Sequence, residues 1–218
     1  MLIEGVDMLA HVTICDPCSD KARKAYEKAD WMRTAKLRWE EAIPEEYRRT
    51  DTSHPDYQKV IGTHNKAIKW LRSASNATRR PFLGLIGASG GCKSRIASQL
   101  AKSGIWEGGF YQWCASYRFQ WACQNQFSDD YGGEASQMLL TWRNTENLIF
   151  DDIGALKSSD IISKALNGIL EHRSVNRLPM IWTSNEKPEE MLTGKGLTVK
   201  ERARNISRLK GYSEIIEL

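Results

Sequence analysis

Eight residues, Gly87-Ala88-Ser89-Gly90-Gly91-Cys92-Lys93-Ser94, constrain this chain more than any other stretch of it. They follow the apolar run Phe82-Leu83-Gly84-Leu85-Ile86 and open a segment of helical periodicity at Lys93. A glycine-rich turn between a buried strand and a helix lets backbone N–H groups converge on an anion. The helix N-terminus adds the positive end of its dipole. The spacing fits G-x-x-x-x-G-K-[ST], in which the lysine reaches the β- and γ-phosphates of a nucleotide and the hydroxyl residue ligates magnesium. Lys93 and Ser94 take those roles, and Gly87, Ala88, Ser89, Gly90, Gly91, Cys92 and Arg95 complete the expected nucleotide contacts. Cys92 stands where the pattern has glycine, and its side chain is expected to crowd the backbone or shift the β-phosphate. The competing reading is a glycine-rich turn with no ligand; the strand–loop–helix context favours the nucleotide.

A second element supports the first independently. Leu148-Ile149-Phe150-Asp151-Asp152 is an apolar run that ends in two carboxylates. Charge at the end of a buried strand is costly unless a cation or a catalytic task compensates it. Asp151 is placed to hold the magnesium shell, and Asp152 to orient or deprotonate an attacking water. Further on, the run Met180-Ile181-Trp182 ends in Thr183-Ser184-Asn185, polar groups suited to a γ-phosphate.

Around these motifs the sequence alternates short apolar runs (82–86, 110–114, 148–151, 180–183 and 215–218) with helical stretches (93–102, 117–125, 134–143 and 161–173). That alternation predicts an α/β fold, a parallel sheet with helices on both faces. Ahead of it, residues 19–42 carry apolar positions at three- and four-residue steps, as a helix does. Ile43-Pro44 and the polar run from Arg48 to Pro55 read as a linker, and a second helix is expected over 56–73. The expected organisation is an N-terminal helical extension over 1–55, binding a partner, and an ATPase domain over 56–218.

The net charge of +4 hides an asymmetry: residues 57–106 contain nine Lys and Arg and no Asp or Glu. A second block, 195–210, has six basic residues against one glutamate. Such stretches suit a polyanion, and solvated basic faces explain them equally well. No apolar run approaches the roughly 18 residues of a membrane span, and the acidic opening does not read as a secretory signal, so a cytoplasmic protein is expected. Cys15-Asp16-Pro17-Cys18 has the spacing of a zinc knuckle, but one C-x-x-C supplies only half of a four-ligand site. His11 with His54 or His64 would have to complete it; a simple turn is favoured over zinc. Most of the eight tryptophans are expected to serve packing.

The ordered array GASGGCKS, LIFDDIG, PMIWTSN and ISRL resembles the additional-strand AAA+ ATPases of the DnaC/IstB type, which are helicase loaders and transposition helpers of bacteria and phages. The resemblance spans about residues 79–218 and implies a P-loop NTPase with a five-stranded sheet in the order 5-1-4-3-2. Residue by residue, Asn185 matches the sensor asparagine, Arg208 the arginine finger offered to a neighbouring subunit, and Asp152 the acid that is glutamate in many relatives. Arg173 falls where an interface arginine is common. With the sequence ending at Leu218, just after the last strand, no C-terminal lid domain is expected, as in loaders resembling DnaC. The implied function is an ATPase using ATP and magnesium in DNA replication. Its implied partners are a hexameric replicative helicase, single-stranded DNA and further copies of itself with ATP at the subunit interfaces. The implied setting is the cytoplasm of a bacterial or phage-infected cell. An IstB-like transposition helper and a nucleotide-binding adapter with little hydrolysis are the alternatives; a small-molecule kinase would need neither Asn185 nor Arg208.

Overall fold

A computed structural model describes residues 16–73, 78–157, 159–191 and 199–218. Five strands, β1 (Phe82–Ile86), β2 (Tyr111–Ala115), β3 (Asn147–Asp151), β4 (Met180–Ser184) and β5 (Ser213–Glu217), form one parallel sheet in the order β2-β3-β4-β1-β5. This is the order expected from the motifs, read from the other edge. All five residues of β1 and of β4 are buried, which is why these strands read as continuous apolar runs rather than alternating ones.

The alternation of side chains along each strand divides the core in two. Leu83, Leu85, Ile149 and Ile181 point to one face, where they meet helices α1 (Asp16–Ala42), α4 (Ile61–Arg72) and α5 (Lys93–Trp106). Phe82, Ile86, Leu148, Phe150, Met180 and Trp182 point to the other. There they meet α6 (Ser116–Asn125), α7 (Gly132–Asn144), α8 (Asp160–Val175) and α9 (Val199–Tyr212). After β1 the chain crosses through α5 to the far edge and returns through β3 and β4. The return places β4 between β1 and β3, so the C-terminal ends of these three strands lie side by side.

The supposed linker is part of this core. Residues 45–48 and 55–58 form two short helices, α2 (Glu45–Arg48) and α3 (Pro55–Gln58), and Tyr57 is buried. Ala35 and Trp39 at the end of α1, and Ile43 after it, pack in the same cluster as α5 and the sheet. Residues 20–29 of α1, by contrast, are exposed all round. Exposed ion pairs such as Arg23–Asp20 and Arg33–Asp30 lie along that stretch.

Two side chains set the spacing of the elements. The Trp182 indole lies across Gly84, its partner in the β1–β4 register, and donates from Nε1 to Ser213 Oγ on β5 at 2.8 Å. A Cβ at Gly84 would come within 2.3 Å of the indole, so only glycine lets one side chain tie three strands. Arg173, at the end of α8, is fully buried. Its guanidinium donates to the carbonyls of Trp142 (3.1 Å), Thr145 (2.8 Å), Glu146 (3.3 Å) and Pro179. It thus caps α7 and fastens the entries to β3 and β4, and burial pulls its pKa down to about 9. The expectation of an interface arginine at this position is corrected: backbone carbonyls of the same chain occupy the side chain.

Adding one methyl group at Gly84 should therefore force the indole out of place. Gly84→Ala is expected to lower stability by about 1–3 kcal/mol, the usual range for overpacking a core. Urea unfolding followed by tryptophan fluorescence measures this, and an unchanged midpoint would contradict the packing described.

Candidate nucleotide-binding site

Residues 87–92 leave the centre of the sheet and turn back into α5 around the space above the strand ends. Gly90 has φ of +80°, a conformation that side chains rarely adopt. Cys92, the departure from the pattern, has φ 61° and ψ 14°, in the left-handed region. The loop backbone therefore keeps the shape that glycine normally supplies. Holding a side-chain-bearing residue there costs about 1–2 kcal/mol. The Cys92 side chain packs partly into the core cluster beneath the loop rather than into the turn.

Lys93 opens α5 and is buried. Its ammonium donates to Gly87 O at 2.8 Å, Ala88 O at 2.7 Å and Asn185 Oδ1 at 2.8 Å. Burial lowers its pKa, and the carboxylates of Asp152 and Asp151 oppose that shift. One cation thus joins the loop after β1 to the residue after β4, at the point where phosphates would lie.

Beside it, Ser94 Oγ donates to Asp151 Oδ1 at 2.6 Å, and Thr183 Oγ1 donates to the same oxygen at 2.7 Å. The Asp152 backbone N–H then donates to Thr183 Oγ1 at 2.8 Å. Burial raises the Asp151 pKa, the hydrogen bonds from Ser94 and Thr183 resist the rise, and Asp152 and Glu46 add to it. A buried carboxylate with raised proton affinity and a hydroxyl beside it are hard oxygen ligands short of positive charge. Magnesium fits that donor set, since it takes one or two protein oxygens together with phosphate. Asp152 has φ 56°, which turns the chain sharply after β3. Gly154 completes that turn, because a Cβ there would meet Ser184 Oγ at 2.4 Å.

Lys93, Ser94, Asp151, Asp152, Thr183 and Asn185 line one cavity of about 610 Å³, and Ser89, Gly90, Gly91, Cys92 and Arg95 line it as well. The site residues read from four separate sequence motifs thus converge, with the exception of Arg208. Four further lining residues, Tyr47, Asp51, His54 and Tyr57, come from the segment read as a linker. Their only sequence signal was two tyrosines inside an otherwise polar stretch. Burial pushes the Tyr47 phenol up to about 12 and raises that of Tyr57 further.

Arg208 lies on α9, outside this cavity. Its guanidinium donates to Asn167 Oδ1 at 2.7 Å and pairs with Glu171 at 3.2 Å, both on α8. The absence of acids near it in sequence had suggested a side chain without a local partner; the fold supplies two. Of the zinc residues, Cys15 lies outside the described residues and Cys18 is described only as part of α1. No group of three or more metal-ligating side chains occurs among the described residues.

The buried Asp151 charge should weigh on the ligand-free protein. Asp151→Asn keeps an oxygen acceptor for Ser94 and Thr183 and removes the charge, so the variant is expected to melt at a higher temperature at neutral pH. Because the folded-state pKa is raised, the parent gains stability as pH falls through that pKa toward the ordinary 3.8, and the gap should close in acid. Calorimetric melting from neutral to acidic pH tests this; a lower midpoint for D151N at neutral pH would contradict it.

Neither a protein-family model nor a curated protein sequence matches the chain. Solved structures do match it. The crystal structure of DnaI aligns with a TM-score of 0.61 at 21% identity, covering 80% of this chain and 94% of that one. The DnaC helicase loader aligns with a TM-score of 0.56 at 19% identity, covering 80% of this chain and 99% of that one. The replication initiator DnaA, bound to AMPPCP and single-stranded DNA, aligns with a TM-score of 0.55 at 14% identity over 71% of this chain and 46% of its own. At such identities the likeness is one of fold, and the fold is that of the P-loop AAA+ proteins, shared with the helicase-loader structures.

Proposed function

We propose that this chain is an ATPase of the DnaC-type helicase-loader class, binding and hydrolysing ATP with magnesium while it delivers or remodels a replicative helicase on single-stranded DNA. The observation that carries the reading is the pair of adjoining networks, Lys93 with Asn185 and Ser94 with Asp151 and Thr183. Together they present a phosphate cation, a metal-ligand pair and a polar sensor to one cavity. The fold likeness to a helicase loader, and to an initiator bound to a nucleotide analogue and single-stranded DNA, supports the replication setting.

In this reading the loop N–H groups and Lys93 bind the β- and γ-phosphates, and the Lys93 ammonium exchanges its carbonyl partners for phosphate oxygens. Ser94 and Asp151 would hold magnesium, which when bound offsets the phosphate charge. Asp152 orients the attacking water and takes its proton, and Asn185 reports the γ-phosphate. Arg208 serves the site of a neighbouring copy, leaving Asn167 and Glu171 to do so. The exposed part of α1, within the 1–55 extension, grips the helicase, and the basic residues of 57–106 and 195–210 face DNA. The strained Cys92 turn favours one second reading, an adapter that binds nucleotide and hardly hydrolyses it.

Single substitutions separate the roles. Lys93→Ala is expected to abolish ATP binding in calorimetry with the fold intact, and unchanged affinity would refute the site. Asp152→Asn should retain ATP and lose turnover by about 10²-fold or more, as expected for removal of a general base. Equal turnover in that variant would refute its role, and a parent without turnover, alone or with single-stranded DNA, would leave the adapter. For Arg208, an inactive Arg208→Ala protein mixed with an inactive Lys93→Ala protein should regain part of the ATPase activity. A finger in trans is worth about 10³–10⁵ in rate. Normal activity of Arg208→Ala alone would remove the finger.

A further inference from the structure

Tyr47 enters the site from outside every phosphate-site motif. It belongs to α2, the short helix that follows α1 after Ile43-Pro44. Its ring stacks on Trp113 of β2, with centroids 5.1 Å apart and planes 28° from parallel. Its carbonyl accepts from Thr50 Oγ1 at 2.8 Å and from Ser98 Oγ, one turn past Ser94 on α5, at 3.4 Å. Ring and backbone are therefore both fixed, and the phenol is held in the cavity beside the Ser94 hydroxyl, with the Asp151 carboxylate near it and Glu46 on its other side.

The chemistry of that neighbourhood is specific. Ser94 has one proton, which goes to Asp151 Oδ1, and its remaining lone pairs are what a divalent cation would use. A hydroxyl rotor with a single partner can swing, whereas a second, fixed hydroxyl beside it restricts the direction of the lone pairs. The Tyr47 phenol stays protonated at all ordinary pH and so remains a donor, as its pKa of about 12 requires. A ring needed only for packing against Trp113 could have been phenylalanine.

We propose that Tyr47 is a positioning residue of the nucleotide site: its phenol holds the Ser94 hydroxyl in register with Asp151 for the cation that accompanies the phosphates. The inference rests on the nucleotide reading given above. It also gives α2 a task, since the segment that continues α1 reaches the metal-ligand pair through this one side chain. A displacement of the end of α1 would be felt first at Ser94.

The test uses the full chain and a fluorescent ATP analogue titrated with magnesium, comparing the parent, Tyr47→Phe and Tyr47→Leu. Tyr47→Phe keeps the stack on Trp113 and removes only the hydroxyl, so its melting temperature should equal that of the parent. Its magnesium-free affinity for the analogue should stay within about twofold, well under the worth of one hydrogen bond. The magnesium concentration for half-maximal binding should rise about 5- to 10-fold, the equivalent of one lost neutral hydrogen bond. Tyr47→Leu should add a loss of thermal stability, and Phe but not Leu should restore it. An unchanged magnesium midpoint in Tyr47→Phe overturns the proposal. So does an equal loss of affinity with and without magnesium, which would mark a general packing role. A parent that binds no analogue at all, with or without magnesium, would instead overturn the nucleotide reading itself.

Discussion

The ammonium of Lys93 makes the site one structure rather than three loop ends. Two of its donors close the glycine-rich turn onto itself and the third reaches Asn185, on the far side of β1's neighbour. Such a contact requires β4 to lie directly beside β1, and that adjacency exists because the chain first crosses to β2 and then fills the gap from the far edge. The same adjacency brings Asp151 of β3 under Thr183 of β4 and next to Ser94 of α5. A parallel sheet with its ligand site at the carboxyl ends of the strands, where the connection reverses, follows the general rule for open α/β folds. Strand order, a property of the whole chain, is thus what turns four short motifs into one cavity.

Much of this was legible in the sequence because it is locally encoded. Five buried residues in β1 and in β4 leave an unbroken apolar run, and the charged residues at Lys93, Asp151 and Asp152 stand out against such runs. Strand and helix limits shifted by a few residues, as with α5, which continues to Trp106. The features that sequence reading missed depend on long-range meetings. Arg208 looked unpartnered because Asn167 and Glu171 lie about forty residues away along the chain and meet it only when α9 packs on α8. Arg173 looked available because nothing local shows that a guanidinium will be buried among carbonyls from two other elements. Polar composition hid Tyr47 and Tyr57, although polar composition is also what a segment facing a phosphate cavity should have.

The N-terminal region joins two physical regimes. Its exposed stretch has no apolar face turned to the body and relies on surface ion pairs, each worth only a fraction of a kcal/mol. Its end, from Ala35 to Ile43, is as buried as the sheet. A helix anchored at one end and free at the other is suited to catching a partner and passing the resulting strain inward, and α2 is the first element that strain would meet. Local conformational cost is concentrated at the same place: Cys92 and Asp152, both with positive φ, flank the cavity.

A structure of the chain with magnesium and a non-hydrolysable ATP analogue tests the central claim most directly. The account predicts the β- and γ-phosphates inside the turn of residues 87–92. Lys93 Nζ should have moved from the carbonyls of Gly87 and Ala88 to phosphate oxygens, Ser94 and Asp151 should face the metal, and Asn185 should face the γ-phosphate. An analogue bound elsewhere, with the Lys93 contacts unchanged, would contradict it.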